Sequence, residues 1–100
     1  MRILIADDHT LIREGLRKIL VESFPFADIH DVADSADLLK KAIHEKWDII
    51  ISDISMPGYS VIEILKQIKE HEPQTTVWIL SIPDPEQHRA VVAAMNVTLP

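Results

Sequence analysis

The sequence predicts an α/β domain built on a parallel, doubly wound sheet. Three observations carry that prediction. Apolar runs of strand length, "RILIA", "WDIIISD" and "TTVWILS", each end on or run into polar residues. Between them lie segments whose apolar residues recur every three or four positions. The two kinds of segment alternate, which means βαβ units and, with right-handed crossovers, a parallel sheet.

Residues 2–6, "RILIA", stop at Asp7-Asp8 and read as a strand buried on both faces. From Thr10 the period changes. Leu11, Ile12, Leu16, Ile19 and Leu20 share a helical stripe, with Arg13, Glu14, Arg17 and Lys18 between them. Thr10 is a candidate N-cap, and Asp8 is another. Pro25 closes that helix, because proline cannot extend it. "DIHDVA" (28–33) is a more polar strand and belongs nearer a sheet edge. Ser35 opens a second helix, "ADLLKKAIHEK", with Leu38, Leu39, Ala42 and Ile43 on one side. "WDIIISD" is the third strand, and residues 59–71 form a helix with Val61, Ile62, Ile64, Leu65 and Ile68 apolar. Pro73 ends it, and residues 75–81 are a fourth buried strand. Asp84 or Pro85 starts a fourth helix, "PEQHRAVVAAM", and "NVTLP" follows as a stub. The reading is four βα units in one domain, without repeats, linkers or low-complexity tracts.

Composition excludes several classes. One hundred residues suit one small core. No apolar run approaches the roughly 20 residues of a membrane helix, and "MRILIADDH" turns acidic too quickly for a signal peptide. Cysteine is absent, so there is no disulfide framework or thiolate metal site, which fits a cytoplasmic protein. A net charge of −6 argues against nucleic-acid binding by this chain itself.

Three strands end in polar residues: Asp7-Asp8 after the first, Asp53 after the third, Ser81 after the fourth. In an open parallel sheet those ends share one rim, where ligands bind. Crowded carboxylates repel, and a bound cation resolves the repulsion; oxygen donors favour Mg²⁺ over zinc. His9 is read as a loop residue. Each aspartate alone could be an ordinary cap, but the joint pattern makes a compact phosphoryl-transfer site, with Asp53 the nucleophile and Ser81 a hydrogen-bond donor.

"ILIADDHTLIREGLRKIL", "DIIISDISMPG" and "VWILS" resemble the receiver domain of two-component response regulators, in the NarL/FixJ subclass usually fused to a helix-turn-helix output domain. The resemblance runs from residue 1 to about 88. It implies the flavodoxin-like (CheY-like) fold, with sheet order 2-1-3-4-5. It also implies that Asp53 is phosphorylated by a partner sensor histidine kinase. Asp7, Asp8, Asp53 and the backbone carbonyl of Ser55 match the protein ligands of Mg²⁺, and Ser81 matches the switch hydroxyl. DNA would be reached only through an output domain not in this chain. A haloacid-dehalogenase-like phosphatase fits less well, since it wants Asp-x-Asp where this chain has Asp-Asp-His.

The chain also departs from the family. No lysine follows Lys69, although the family carries one after its fifth strand, and the fifth βα unit reads as missing or incomplete. Residues 1–100 are therefore expected to be a receiver incomplete at its C-terminus. Val61 stands where the subclass has glycine, and either strains the loop or begins the third helix and packs inward. Asn96 replaces another glycine, and Pro83 stiffens the loop after Ser81. These departures support a second reading, a pseudo-receiver acting by protein–protein contact without phosphorylation. An apolar fourth strand at the sheet edge predicts a homodimer or strand-exchanged oligomer.

Overall fold

The computed structural model describes residues 1–80 and Glu86. Within them the chain runs β1 (Arg2–Ala6), α1 (Thr10–Ser23), β2 (Asp28–Val32), α2 (Ser35–His44), β3 (Ile49–Ser52), α3 (Val61–His71) and β4 (Thr76–Ile79). The strands form one parallel sheet in the order β2-β1-β3-β4. That is the predicted order, with the polar "DIHDV" strand at an edge as its composition required. The expected fourth helix, Asn96, Pro83 and the fifth βα unit lie outside the described residues.

Register aligns the strand ends. Ala6 pairs with Val32 on one side and Ser52 on the other, and Ser52 pairs with Ile79. The residues that follow each strand therefore emerge at one rim. Pleating splits the central strands between two cores. Leu4, Ala6 and Ile50 pack with Leu38 of α2 and Val61, Ile64, Leu65 and Ile68 of α3. Ile3, Ile5, Ile49 and Ile51 face the other way, against Leu20 of α1. Truncating a fully buried residue such as Leu65 to alanine costs about 2–5 kcal/mol, a large share of a small domain's stability.

The helix starts differ in quality. Asp34 caps α2 by accepting from the Asp37 amide at 2.8 Å, and Ser60 caps α3 by accepting from Glu63 at 3.5 Å. The N-cap of α1 is His9, not Thr10 or Asp8, and it makes no side-chain cap bond. Residues 59 and 60 stay outside α3 because Ser60 is its cap. Val61 occupies the first helical position and is almost fully buried in the core, so it packs inward and puts no strain on the preceding loop. The one positive φ of a glycine is at Gly58, +106°.

The two faces are unequally covered. Of the α1 stripe, Leu20 is buried, Leu16 is half-buried, and Leu11, Ile12 and Ile19 are exposed. Ile43 of α2 also points outward. No described helix is long and apolar enough to cross a membrane.

Candidate functional site

The rim is built from the ends of β1 and β3. The Asp7 amide donates to the Val32 carbonyl at 3.1 Å, and the Asp53 amide donates to the Ala6 carbonyl at 2.8 Å. Those ladder bonds carry both aspartates one residue past their strands and leave them 3% and 7% exposed. Asp8 is exposed beside them. An open groove of about 610 Å³ leads from Asp7 and Asp53 along the apolar stripe of α1 to Leu80.

Among the described residues, Asp7, Asp8, His9 and Asp53 each offer one ligand atom, and these atoms lie within 4.8 Å of one another. Oxygens on opposite sides of one Mg²⁺ stand about 4.2 Å apart, twice the metal–oxygen distance. A slight closing of the three carboxylates therefore suffices to hold a hard divalent cation, and the oxygen-rich donor set suits one.

His9 is closer to the chemistry than sequence reasoning placed it. Its Nδ1 lies 2.8 Å from Asp7 Oδ1 and 3.1 Å from Asp8 Oδ1, and its amide donates to Asp7 Oδ1 at 2.7 Å. The imidazole pKa is raised above 6.5, first by the hydrogen bond to Asp7 and then by the charge of Asp8. The imidazole spans two carboxylates that would otherwise face each other without a counter-charge. The signal was its place directly after the acidic pair.

Arg13 was also missed. Its guanidinium donates to the Asp7 carbonyl at 2.7 Å and to Asp31 at 2.9 Å, tying the β1–α1 turn to β2. Sequence periodicity placed it on a solvated helix face, and no local pattern marks a carbonyl as its target.

The loop after β3 is shaped around Asp53. Ser52 Oγ donates to the Asp53 carbonyl at 2.9 Å, and the Ser55 amide donates to Asp53 Oδ1 at 3.1 Å. That second bond orients one carboxylate oxygen along the loop. The structure thus brings Asp7, Asp8 and Asp53 together, with Ser55 adjoining. Ser81 lies outside the described residues; Leu80, just before it, donates its amide to the Ser52 carbonyl at 3.0 Å.

A parallel 2-1-3-4 sheet with an acidic cluster at its carboxyl rim has known counterparts. The family model of the response regulator receiver domain matches residues 3–99. This chain belongs to that family. The match extends past residue 88, where the likeness read from motifs fades. The receiver is 35% identical over 89 residues to oxygen regulatory protein NreC of Staphylococcus haemolyticus, covering 88% of this chain and 41% of that protein. It is 32% identical over 88 residues to transcriptional regulatory protein DegU of Brevibacillus brevis, covering 88% and 37%. The isolated receiver domain of RcsB from Salmonella enterica superposes with a TM-score of 0.80 at 30% identity, over 94% of this chain and 71% of that one. Chemotaxis response regulator CheY4 of Vibrio cholerae superposes at 0.80 with 26% identity, over 93% and 78%. NreC, DegU and RcsB are response regulators of the NarL/FixJ type, the subclass expected from the motifs. The receiver spans about two-fifths of the length of the curated relatives it matches.

Proposed function

We propose that this receiver accepts a phosphoryl group on Asp53 from a sensor histidine kinase and passes the signal to a DNA-binding output domain of a longer parent protein. The observation that carries this reading is the meeting of three carboxylates, Asp7, Asp8 and Asp53, at the carboxyl rim of the sheet. Like charges packed against buried backbone oppose folding, and such groups are retained where a ligand or a reaction needs them. RcsB offers a parallel: it has been solved bound to a promoter in the presence of the phosphomimetic BeF3⁻.

In the proposed reaction an Asp53 carboxylate oxygen attacks the phosphorus of a phosphohistidine. The O–P bond forms, the P–N bond breaks, and the released imidazole takes up a proton. Asp7, Asp8, Asp53 and the Ser55 carbonyl would hold Mg²⁺, which when bound neutralises charge on the phosphoryl oxygens. The Ser55 amide keeps one Asp53 oxygen engaged, leaving the other to attack. Ser81 is the proposed hydroxyl donor to the phosphorylated aspartate.

Intact-protein mass after incubation with Mg²⁺ and acetyl phosphate tests this. The expected result is a gain of one phosphoryl group that Asp53→Asn abolishes. No gain from folded protein favours instead the phosphorylation-independent interaction module.

Self-association is part of the proposal. Among the described residues β4 has a strand neighbour on one side only, and Leu11, Ile12 and Ile19 of α1 and Trp78 of β4 are exposed. Sedimentation is expected to show a homodimer or strand-exchanged oligomer; a stable monomer at high concentration contradicts it.

A further inference from the structure

The loop that carries Asp53 and Ser55 is pinned a second time, from a different element. Ser35, the first residue of α2, is fully buried. Its amide and its hydroxyl both donate to the Pro57 carbonyl, each at 3.1 Å. The first amides of a helix have no intrahelical acceptor, so α2 has one to spare for a neighbouring loop. A carbonyl has two lone pairs, and both Ser35 donors fall on this one.

Gly58 completes the contact. A Cβ at that position would stand 2.5 Å from Ser35 Oγ, and its φ of +106° disfavours any other residue. Absence of a side chain at residue 58 lets the hydroxyl of Ser35 reach the loop. The helix start and the Pro-Gly turn are thus fitted to each other across 22 positions of sequence.

We infer that Ser35 is a positioning residue for the phosphoacceptor loop: by clamping the Pro57 carbonyl it fixes the path of residues 53–58, and with it the Ser55 carbonyl offered to the metal. This rests on the reading of Asp53 as phosphoacceptor. The other end of the loop is held by the Ser55 amide on Asp53 and by the buried side chains of Ile54 and Met56. Between two fixed ends a short loop has few conformations left, so the carbonyl is presented before the ion arrives and less ordering is needed on binding. Ser35 makes its hydrogen bonds to Pro57 and not to Asp53. It acts through Pro57.

The test compares wild type, Ser35→Ala and Ser35→Cys, the last filling similar space with a poor donor. Three quantities are read on each: amide chemical shifts without metal, Mg²⁺ affinity by titration calorimetry, and phosphorylation rate with acetyl phosphate. Loss of one hydrogen bond predicts Mg²⁺ binding weaker by about three- to tenfold. Shifts should be confined to residues 53–58 and the start of α2, with a slower rate at limiting Mg²⁺ that recovers at saturation. That recovery separates positioning from general destabilisation, which excess Mg²⁺ would not cure selectively at this loop. Where Ser35→Ala does not fold, Ser35→Cys supplies the same comparison. If wild type takes Mg²⁺ and phosphoryl and a folded Ser35 variant takes them equally well, the clamp is overturned and the phosphoacceptor reading stands. If wild type takes neither, the phosphoacceptor reading falls and the role of Ser35 falls with it.

Discussion

The two ends of the central strands both concentrate charge, and they do so in opposite ways. At the carboxyl rim three carboxylates converge with one imidazole between two of them. At the amino rim opposite charges pair with one another around Arg2 and Glu45. Arg2 donates to Glu45 at 2.6 Å and to Asp28 at 3.3 Å, Lys41 joins Glu45 at 3.1 Å, and His30 meets Asp28 at 2.9 Å. The Arg2 guanidinium also lies 4.2 Å from the ring centroid of Trp47, against whose edge His30 packs. The carboxyl rim is acidic, whereas the amino rim carries both signs. The difference is that the Arg2 cluster matches opposite charges, whereas at the carboxyl rim one imidazole serves two of three carboxylates and negative charge stays in excess. Excess like charge at a strand end marks a candidate site.

That contrast can be broken by experiment, and the largest effect is expected at the carboxyl rim. Asp8→Asn removes one of the ligand charges and is expected to weaken Mg²⁺ binding about tenfold or more, since affinity follows ligand charge. The thermal midpoint should hold or rise as repulsion is relieved. Calorimetry and thermal unfolding on the same samples check both, and a marked loss of stability would mean that Asp8 is a structural residue after all.

Arg2→Ala should do the reverse, lowering the thermal midpoint while Mg²⁺ affinity stays at the wild-type value. Its pH dependence gives the sign. Arg2 holds the Glu45 carboxyl below its ordinary value, with Lys41 adding to it, and holds Asp28 below its own. Carboxylates with depressed pKa contribute stability above their unfolded values, near 4, and lose it as pH falls through the depressed ones. The gap between wild type and Arg2→Ala should therefore be present at neutral pH and close on acidification. A gap that stays constant to low pH would assign the effect of Arg2 to its stacking on Trp47 rather than to its ion pairs. All these charges are solvent-accessible, so the changes are expected to be modest.

Much of this was legible in the residues. The alternation of apolar runs with helical stripes was enough for a parallel α/β sheet, and the resemblance to receiver domains supplied the strand order. The Asp7-Asp8 and Asp53 positions followed from where the apolar runs stop. Helix boundaries were less legible: α3 begins at Val61 rather than at residue 59, because Ser60 serves as its cap. The α1 stripe illustrates a different limit. Its periodicity predicted a buried face, but Leu11 is 81% exposed, since amphipathicity states what a helix can bury and not what stands opposite. Arg13 and Ser35 were passed over for one reason: each acts through a carbonyl or a carboxylate brought near by the fold. The partners of His9 are its sequence neighbours, and its place after the acidic pair was the signal.

The sequence by itself determined the class of fold, the acidic rim and the loop that bears Asp53, because period, strand ends and turn residues are local properties of the chain. Only the tertiary structure decided which charges of the amino rim are paired, that Arg13 ties the β1–α1 turn to β2, and that the start of α2 holds the Pro57 carbonyl. Those depend on register and on helix placement across the sheet, which set distances between residues far apart in sequence. A hydrogen bond or an ion pair exists only at such distances.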